Sequence, residues 1–248
     1  MRWRETELPE PNLNYEKIMA YRPADIQVSY GERECIIYAL GIGIGMDPLD
    51  AGELKFVYVQ AKLVSRPRVK EIIDKGPGNA AIIQNTRDLL GEDGKPVATV
   101  DSSTFARKHG GFGGRMSDTP VPHTVPQTAP ELICDLATPP NLALLYRLNG
   151  DENPLHADPQ RAKAAGFDRP ILHGAASFGV AARAILRTYA DDQPERLQTI
   201  EARFSRPVFP GDTIRTEMWR QGERVSFQCR VVSRNDVVLS NGLATLRM

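Results

Sequence analysis

The chain has 248 residues and a mass of 27.5 kDa, enough for one large domain or two small ones with a real core. Apolar residues make up 41% and charged residues 25%, a mixture that argues against a disordered, fibrous or membrane-embedded protein. Thirty-one Lys and Arg balance thirty-one Asp and Glu, so no whole-chain attraction to nucleic acid or anionic lipid exists. Cys35, Cys134 and Cys229 are widely spaced and odd in number, with no CxxC pair, which predicts a reducing compartment rather than a disulfide framework. The first residues, Met1-Arg2-Trp3-Arg4-Glu5, carry no apolar leader, and no apolar run is long enough to cross a bilayer. A cytoplasmic location is expected, and a peroxisomal one less so, because Leu246-Arg247-Met248 is a poor peroxisomal tripeptide.

Along the first half, Glu32 to Leu40 reads as a helix, and Glu53 to Leu63, Arg68 to Ile73, Ala80 to Asn85 and Pro96 to Arg107 read as strands. No long apolar helix occurs among them. Arg66, Arg68 and Lys70 alternate as a solvated strand face. Gly41-Ile42-Gly43-Ile44-Gly45 lacks the spacing of a dinucleotide loop. The run Gly110-Gly111-Phe112-Gly113-Gly114 leads into six prolines between Thr119 and Pro140, a density that neither a helix nor a central strand tolerates. The predicted division is an N-terminal repeat over 1–116, a proline-rich crossover linker over 117–140 and a C-terminal repeat over 141–248.

The second half is clearer. Asn141 to Leu148 is helix-compatible. Asp158 caps a short helix with Pro159 at its first position and Gly166 at its stop. Gly174 to Ala190 is a longer helix, apolar except for a stripe of Arg183 and Arg187, and must be enclosed by other structure. Strands are predicted at Thr199 to Ser205, Thr213 to Trp219, Arg224 to Val231 and Asp236 to Leu246, with a type II turn at Phe209-Pro210-Gly211-Asp212. One buried helix followed by an antiparallel meander is an α+β plan.

The chemistry concentrates in Gly150-Asp151-Glu152-Asn153-Pro154-Leu155-His156. A carboxylate and an imidazole five residues apart, across a Gly-Asp turn and an Asn-Pro step, face one small volume. Such a pair holds a single water, one partner taking its proton and the other protonating the substrate. Further on, Pro170-Ile171-Leu172-His173-Gly174 opens the long helix. A helix start presents free N–H groups, and Gly174 lets a carbonyl approach them, the chemistry of an oxyanion hole. The four histidines His109, His123, His156 and His173 show no metal-ligand spacing, and no metal is expected.

Gly-Asp-x-Asn-Pro-Leu-His followed by Pro-Ile-Leu-His-Gly resembles the hydratase 2 signature of the MaoC-like hot-dog family, in its (R)-specific 2-enoyl-CoA hydratase branch. Tyr38-Ala39-Leu40-Gly41, Leu54-Lys55-Phe56-Val57-Tyr58, Asp74-Lys75-Gly76, Ala202-Arg203-Phe204 and Arg206-Pro207-Val208-Phe209-Pro210-Gly211 support the likeness. It implies a double hot-dog, each repeat an antiparallel sheet around a central helix, with the first repeat degenerate or shortened. It implies that Asp151 and His156 activate the water, that Asn153 orients them, and that the Gly174 N–H serves the oxyanion. Lys75 and Phe204 match positions that contact CoA or its thioester arm. The reaction implied is reversible hydration of a trans-2-enoyl-CoA to a (3R)-3-hydroxyacyl-CoA, with no cofactor beyond the CoA of the substrate. The implied partner is an acyl-CoA thioester, with no nucleic acid and no membrane, and a homodimer is open as an assembly. A hot-dog thioesterase and a non-catalytic acyl-CoA-binding or assembly subunit are the competing readings. One departure stands out: only the fifteen residues from Val59 to Ile73 join segments that the family separates by several tens more, and the family's His-Gly-Glu-Gln motif is missing. Either a true deletion or a mobile stretch left out of this chain accounts for it.

Overall fold

The computed structural model describes residues 14–21, 32–45, 51–54, 56, 64–91, 93–115 and 121–247. In chain order they form α1 (Tyr15–Ala20), α2 (Glu32–Gly41), α3 (Ala51–Leu54), β1 (Val64–Asp74), β2 (Ala81–Leu90), β3 (Pro96–Ala106), β4 (Leu132–Ala137), α4 (Leu142–Tyr146), α5 (Pro159–Ala164), α6 (Gly174–Tyr189), β5 (Leu197–Phe204), β6 (Thr213–Gln221), β7 (Arg224–Val231) and β8 (Asp236–Leu246). The chain divides into two compact units. One comprises residues 1–30 and 61–120, the other residues 31–60 and 121–248.

The first unit is a three-stranded antiparallel sheet ordered β1-β2-β3. Its helical content among the described residues is α1, capped by the Asn14 side chain. The alternating basic run lies on β1, where Arg68 pairs with Asp88 and Lys70 lies 3.5 Å from Asp101. Asp74 ends β1 and is nearly fully buried. Its carboxylate accepts N–H groups from Gly76 (2.8 Å), Gly111 (2.7 Å), Gly113 (3.0 Å) and Gly114 (3.3 Å). The glycine-rich run is thus the wall of a carboxylate cage. Burial works to raise the Asp74 pKa, but the four N–H groups, led by Gly111, outweigh it and hold the carboxyl below its ordinary value.

The second unit is the expected α+β plan, a five-stranded antiparallel sheet ordered β4-β6-β7-β8-β5 packed on α6. Ala176, Val180, Ala181, Ala184 and Ile185 of α6 share one core with Ile214, Met218, Val225, Phe227, Cys229 and Val231. The strict alternation of β7 puts Val225, Phe227, Cys229 and Val231 on the buried face. Gly211 takes φ 92° in the turn between β5 and β6, as a type II turn demands.

Three expectations need correction. The proline-rich crossover is not all linker: its proline-free stretch forms β4, an edge strand paired only with β6. Prolines cluster on either side of it, which leaves its N–H groups free to join the ladder. The boundary also differs, because α2 and α3 belong to the unit of the long helix. Gly179 makes room for α2, since a Cβ there would lie 2.5 Å from the Tyr38 hydroxyl and 2.9 Å from Ile42. Finally, the strand predicted from Glu53 begins inside α3, and most of its remainder lies outside the described residues. Glu53 is buried against the Arg183 and Arg187 stripe of α6, a partner the sequence did not indicate. Arg183 Nε donates to Glu53 Oε1 at 2.9 Å, and the Gly45 N–H donates to Oε2 at 2.8 Å.

Candidate active site

The site is assembled by short-range structure between α4 and α6. After α4 the chain makes a single 3₁₀ turn, Arg147–Asn149, which stops at Gly150 in the left-handed region at φ 100°. That reversal presents Asp151. The Asn153 N–H donates to Asp151 Oδ1 at 3.2 Å, while Asn153 Oδ1 accepts from the Leu155 N–H at 3.1 Å and caps a second 3₁₀ turn, Pro154–His156. Asn153 thus bonds to Asp151 through its backbone and caps the turn that carries His156 through its side chain.

His156 is buried at 8% exposure, and its Nδ1 lies 2.8 Å from the Ile171 carbonyl oxygen. A carbonyl can only accept, so Nδ1 carries a proton, and Nε2 is the nitrogen left outside that bond. Ile171 is followed by His173 and Gly174, so this bond ties the pair to the start of α6. No hydrogen bond within the described residues uses the Gly174 N–H. His156 and Gly174 line the same cleft of about 280 Å³, with Phe167, Leu172, Phe204 and Val208 among its walls. Asp151 lies at the exposed side, and one polar side-chain atom each of Asp151, His156 and His173 falls within 4.8 Å of the others.

The predicted site residues Asp151, Asn153, His156, Gly174 and Phe204 thus converge. Phe204 ends β5, half-exposed, and a Cβ on Gly174 would sit 3.2 Å from its Cε1. Lys75 belongs to the other unit, in the turn after β1, where its N–H donates to the Ala80 carbonyl at 3.0 Å. Sequence reasoning assigned no part to His173, which is 1% exposed with its ring centroid 3.7 Å from that of His156. Its place between Leu172 and Gly174, in the segment that opens α6, was the signal.

Asp151, His156 and His173 are close enough to hold a metal ion by distance alone. The two imidazole rings are stacked at 26°. One nitrogen of each is already committed to a carbonyl. Among the described residues, no helix is long and apolar enough to cross a membrane.

A MaoC like domain matches residues 120–241. The crystal structure of a MaoC-like dehydratase from Phytophthora Capsici superposes with a TM-score of 0.82 at 28% identity, covering 94% of this chain and 98% of that one. The fold is the α+β hot-dog fold of the MaoC-like dehydratases. Peroxisomal enoyl-CoA hydratase 2 of Arabidopsis thaliana is 32% identical over 295 positions, covering 93% of this chain and 95% of the relative. A probable enoyl-CoA hydratase 2 of Dictyostelium discoideum is 37% identical over 214 positions, covering 82% of this chain and 72% of the relative. The chain belongs to the MaoC-like, (R)-specific enoyl-CoA hydratase family and is a hydro-lyase. Since 93% of 248 residues is about 231, some 64 of the 295 positions matched to the plant protein have no counterpart here.

Proposed function

We propose that the protein adds water reversibly across the double bond of a trans-2-enoyl-CoA to give a (3R)-3-hydroxyacyl-CoA. Asp151 and His156 hold one water. As its oxygen bonds to C3, one of the pair takes a proton from it, and a proton passes from the pair to C2. Both additions come from the same water, so the pair ends as it began. The bare Nε2 of His156 is the atom suited to exchange that proton. The electron pair displaced from the double bond passes through C2 into the thioester carbonyl, where the open N–H of Gly174 stabilises it. The reaction calls on no group beyond the substrate's own CoA. The observation that carries this reading is that His156 and Gly174 line one apolar cleft, with the Asp151 carboxylate beside them.

The Arabidopsis relative is peroxisomal by name, which favours that compartment over the cytosol for this chain too. We also place the absent positions in the N-terminal half, where Val59 to Ile73 stands in for a longer family segment and largely forms β1. Incubation with crotonyl-CoA tests the activity: the parental protein should hydrate it, and Asp151→Asn should not. Free CoA released from butyryl-CoA without hydration of crotonyl-CoA would replace this reading with a thioesterase.

A further inference from the structure

His173 sits at the N-cap of α6 but makes no capping bond with its side chain. Its ring instead packs against two others: it stacks on His156, at 3.7 Å between centroids, and meets Tyr146 at a tilt, at 4.6 Å. Tyr146 is in turn met edge-on by Tyr38 of α2. Nε2 of His173 lies 3.2 Å from the backbone carbonyl oxygen of Asp151, and Nδ1 is buried with no partner among the described residues. Since the carbonyl accepts, Nε2 carries the proton. Burial first, and the adjacent His156 second, push the His173 imidazole below its ordinary pKa, against a smaller opposing pull from Asp151. Among the described residues, the charged or titratable groups facing it are His156, Asp151, Arg147 and Tyr146. A neutral ring therefore backs the imidazole that exchanges protons in the reaction.

We infer that His173 is a positioning residue, whose Nε2–H clamps the Asp151 turn to the start of α6 while its ring face fixes the plane of His156. This rests on the hydratase reading. Asp151 belongs to an exposed turn, His156 to a single 3₁₀ turn and Gly174 to the first turn of α6. Apart from the His156–Ile171 bond, His173 is the side chain that touches all three pieces: by hydrogen bond, by stacking and by direct bonding along the chain. A shift of about 1 Å in such an arrangement is enough to cost roughly 10²-fold in rate.

Two substitutions separate positioning from a merely structural role. His173→Phe keeps the stacked ring, removes the unpartnered Nδ1 and deletes only the clamp, so melting temperature should be unchanged or higher. His173→Gln returns an amide N–H to the place of Nε2. With crotonyl-CoA, His173→Phe should lose about 10²-fold in kcat with KM unchanged, and His173→Gln should recover to within about tenfold of the parent. Nitrogen-15 spectra of the parental protein should show His173 neutral with its proton on Nε2. Parental kcat in a folded His173→Phe would overturn the inference, as would equal losses in both variants in step with falling melting temperature. The Nδ1–H tautomer would overturn it whatever the activity. A folded parental protein that fails to hydrate crotonyl-CoA would instead overturn the hydratase reading, and the clamp's catalytic role with it.

Discussion

Replacing Gly174 by alanine and then by valine isolates the oxyanion donor from the fold. Gly174 does not use a positive φ, so an L side chain creates no backbone strain there. Alanine at a helical position also lowers the entropy of the unfolded chain, worth about 0.4–1 kcal/mol. Against this, the new Cβ would lie 3.2 Å from Phe204 Cε1, 3.4 Å from Cδ1 and 3.6 Å from Cζ. These are the outer atoms of a side chain 57% exposed, with Phe178 the nearest ring at 6.3 Å, so Phe204 can give by a few tenths of an ångström. The melting temperature of Gly174→Ala should therefore stay within about 4 °C of the parent. Turnover should not survive so well. The Cβ occupies the gap between the helix start and Phe204, inside the cleft where the thioester carbonyl must reach the N–H. Losing one such donor costs about 10²–10³ in kcat, or roughly 3–4 kcal/mol. Gly174→Ala should show part of that loss and Gly174→Val all of it, with its second methyl deeper in the cleft. Initial rates on crotonyl-CoA beside thermal melts of the same samples make the test. A folded Gly174→Val that turns over at the parental rate would show that the carbonyl binds elsewhere.

Asp151→Asn and His156→Ala should each lower kcat by about 10²–10⁴. The double variant should be barely worse than the worse single, as groups acting on one water are non-additive; a multiplicative double loss would mean separate roles. Arg183→Met leaves Glu53 charged and buried, and chemical denaturation should show a loss of about 3–5 kcal/mol, partly regained when Glu53 also becomes Leu. Asp74→Ala leaves the N–H groups of Gly76, Gly111, Gly113 and Gly114 without their acceptor, at about 1–3 kcal/mol. Because the folded carboxyl titrates below its ordinary value near 3.9, the parental stabilisation is full above that pH and lost as pH falls through the lower folded value. Melts of Asp74→Asn from pH 7 down to pH 3 should lack this component, and an identical acid response in both proteins would sink the cage argument.

What could be read directly was whatever local chemistry dictates. The strict alternation from Arg224 to Val231 gives β7 with the same ends, and Asp158, Pro159 and Gly166 bracket α5 as predicted, Asp158 Oδ1 accepting from the Gln160 N–H at 2.8 Å. Gly150 and Asn153 carry the turn chemistry that brings Asp151 to His156. What was not legible depended on partners distant in sequence. Arg183 and Arg187 read only as a charged stripe on an enclosed helix, and their partner Glu53, 130 residues before Arg183, could not be named from spacing. Leu132 to Ala137 looks like linker because the prolines around it dominate the composition, and only pairing with β6 makes it a strand. The part played by His173 was hidden for the same reason. Its meaning lies in the rings of Tyr146 and His156 and in a carbonyl 22 residues back.

The two histidines show how a backbone can prepare a site for reversible proton chemistry. Each imidazole has one nitrogen facing a main-chain carbonyl, Nδ1 of His156 on Ile171 and Nε2 of His173 on Asp151. A carbonyl oxygen has no proton to give, so each bond selects one tautomer whatever the state of the substrate. For His156 the outcome is an Nε2 outside that bond, the atom that in the proposed reaction takes a proton in hydration and returns it in dehydration. For His173 the outcome is a donor spent on structure and a bare Nδ1 buried out of water's reach. The same kind of bond thus leaves one ring free for the proposed chemistry and ties its neighbour into the fold, while burial, not the bond, pushes the His173 imidazole below its ordinary pKa. The identity of each carbonyl's residue matters little, but the spacing that places it does. That is why the sequence from Gly150 to Gly174 must fold as one piece, and why its turns and caps, more than the sheet behind them, decide whether the pair can work.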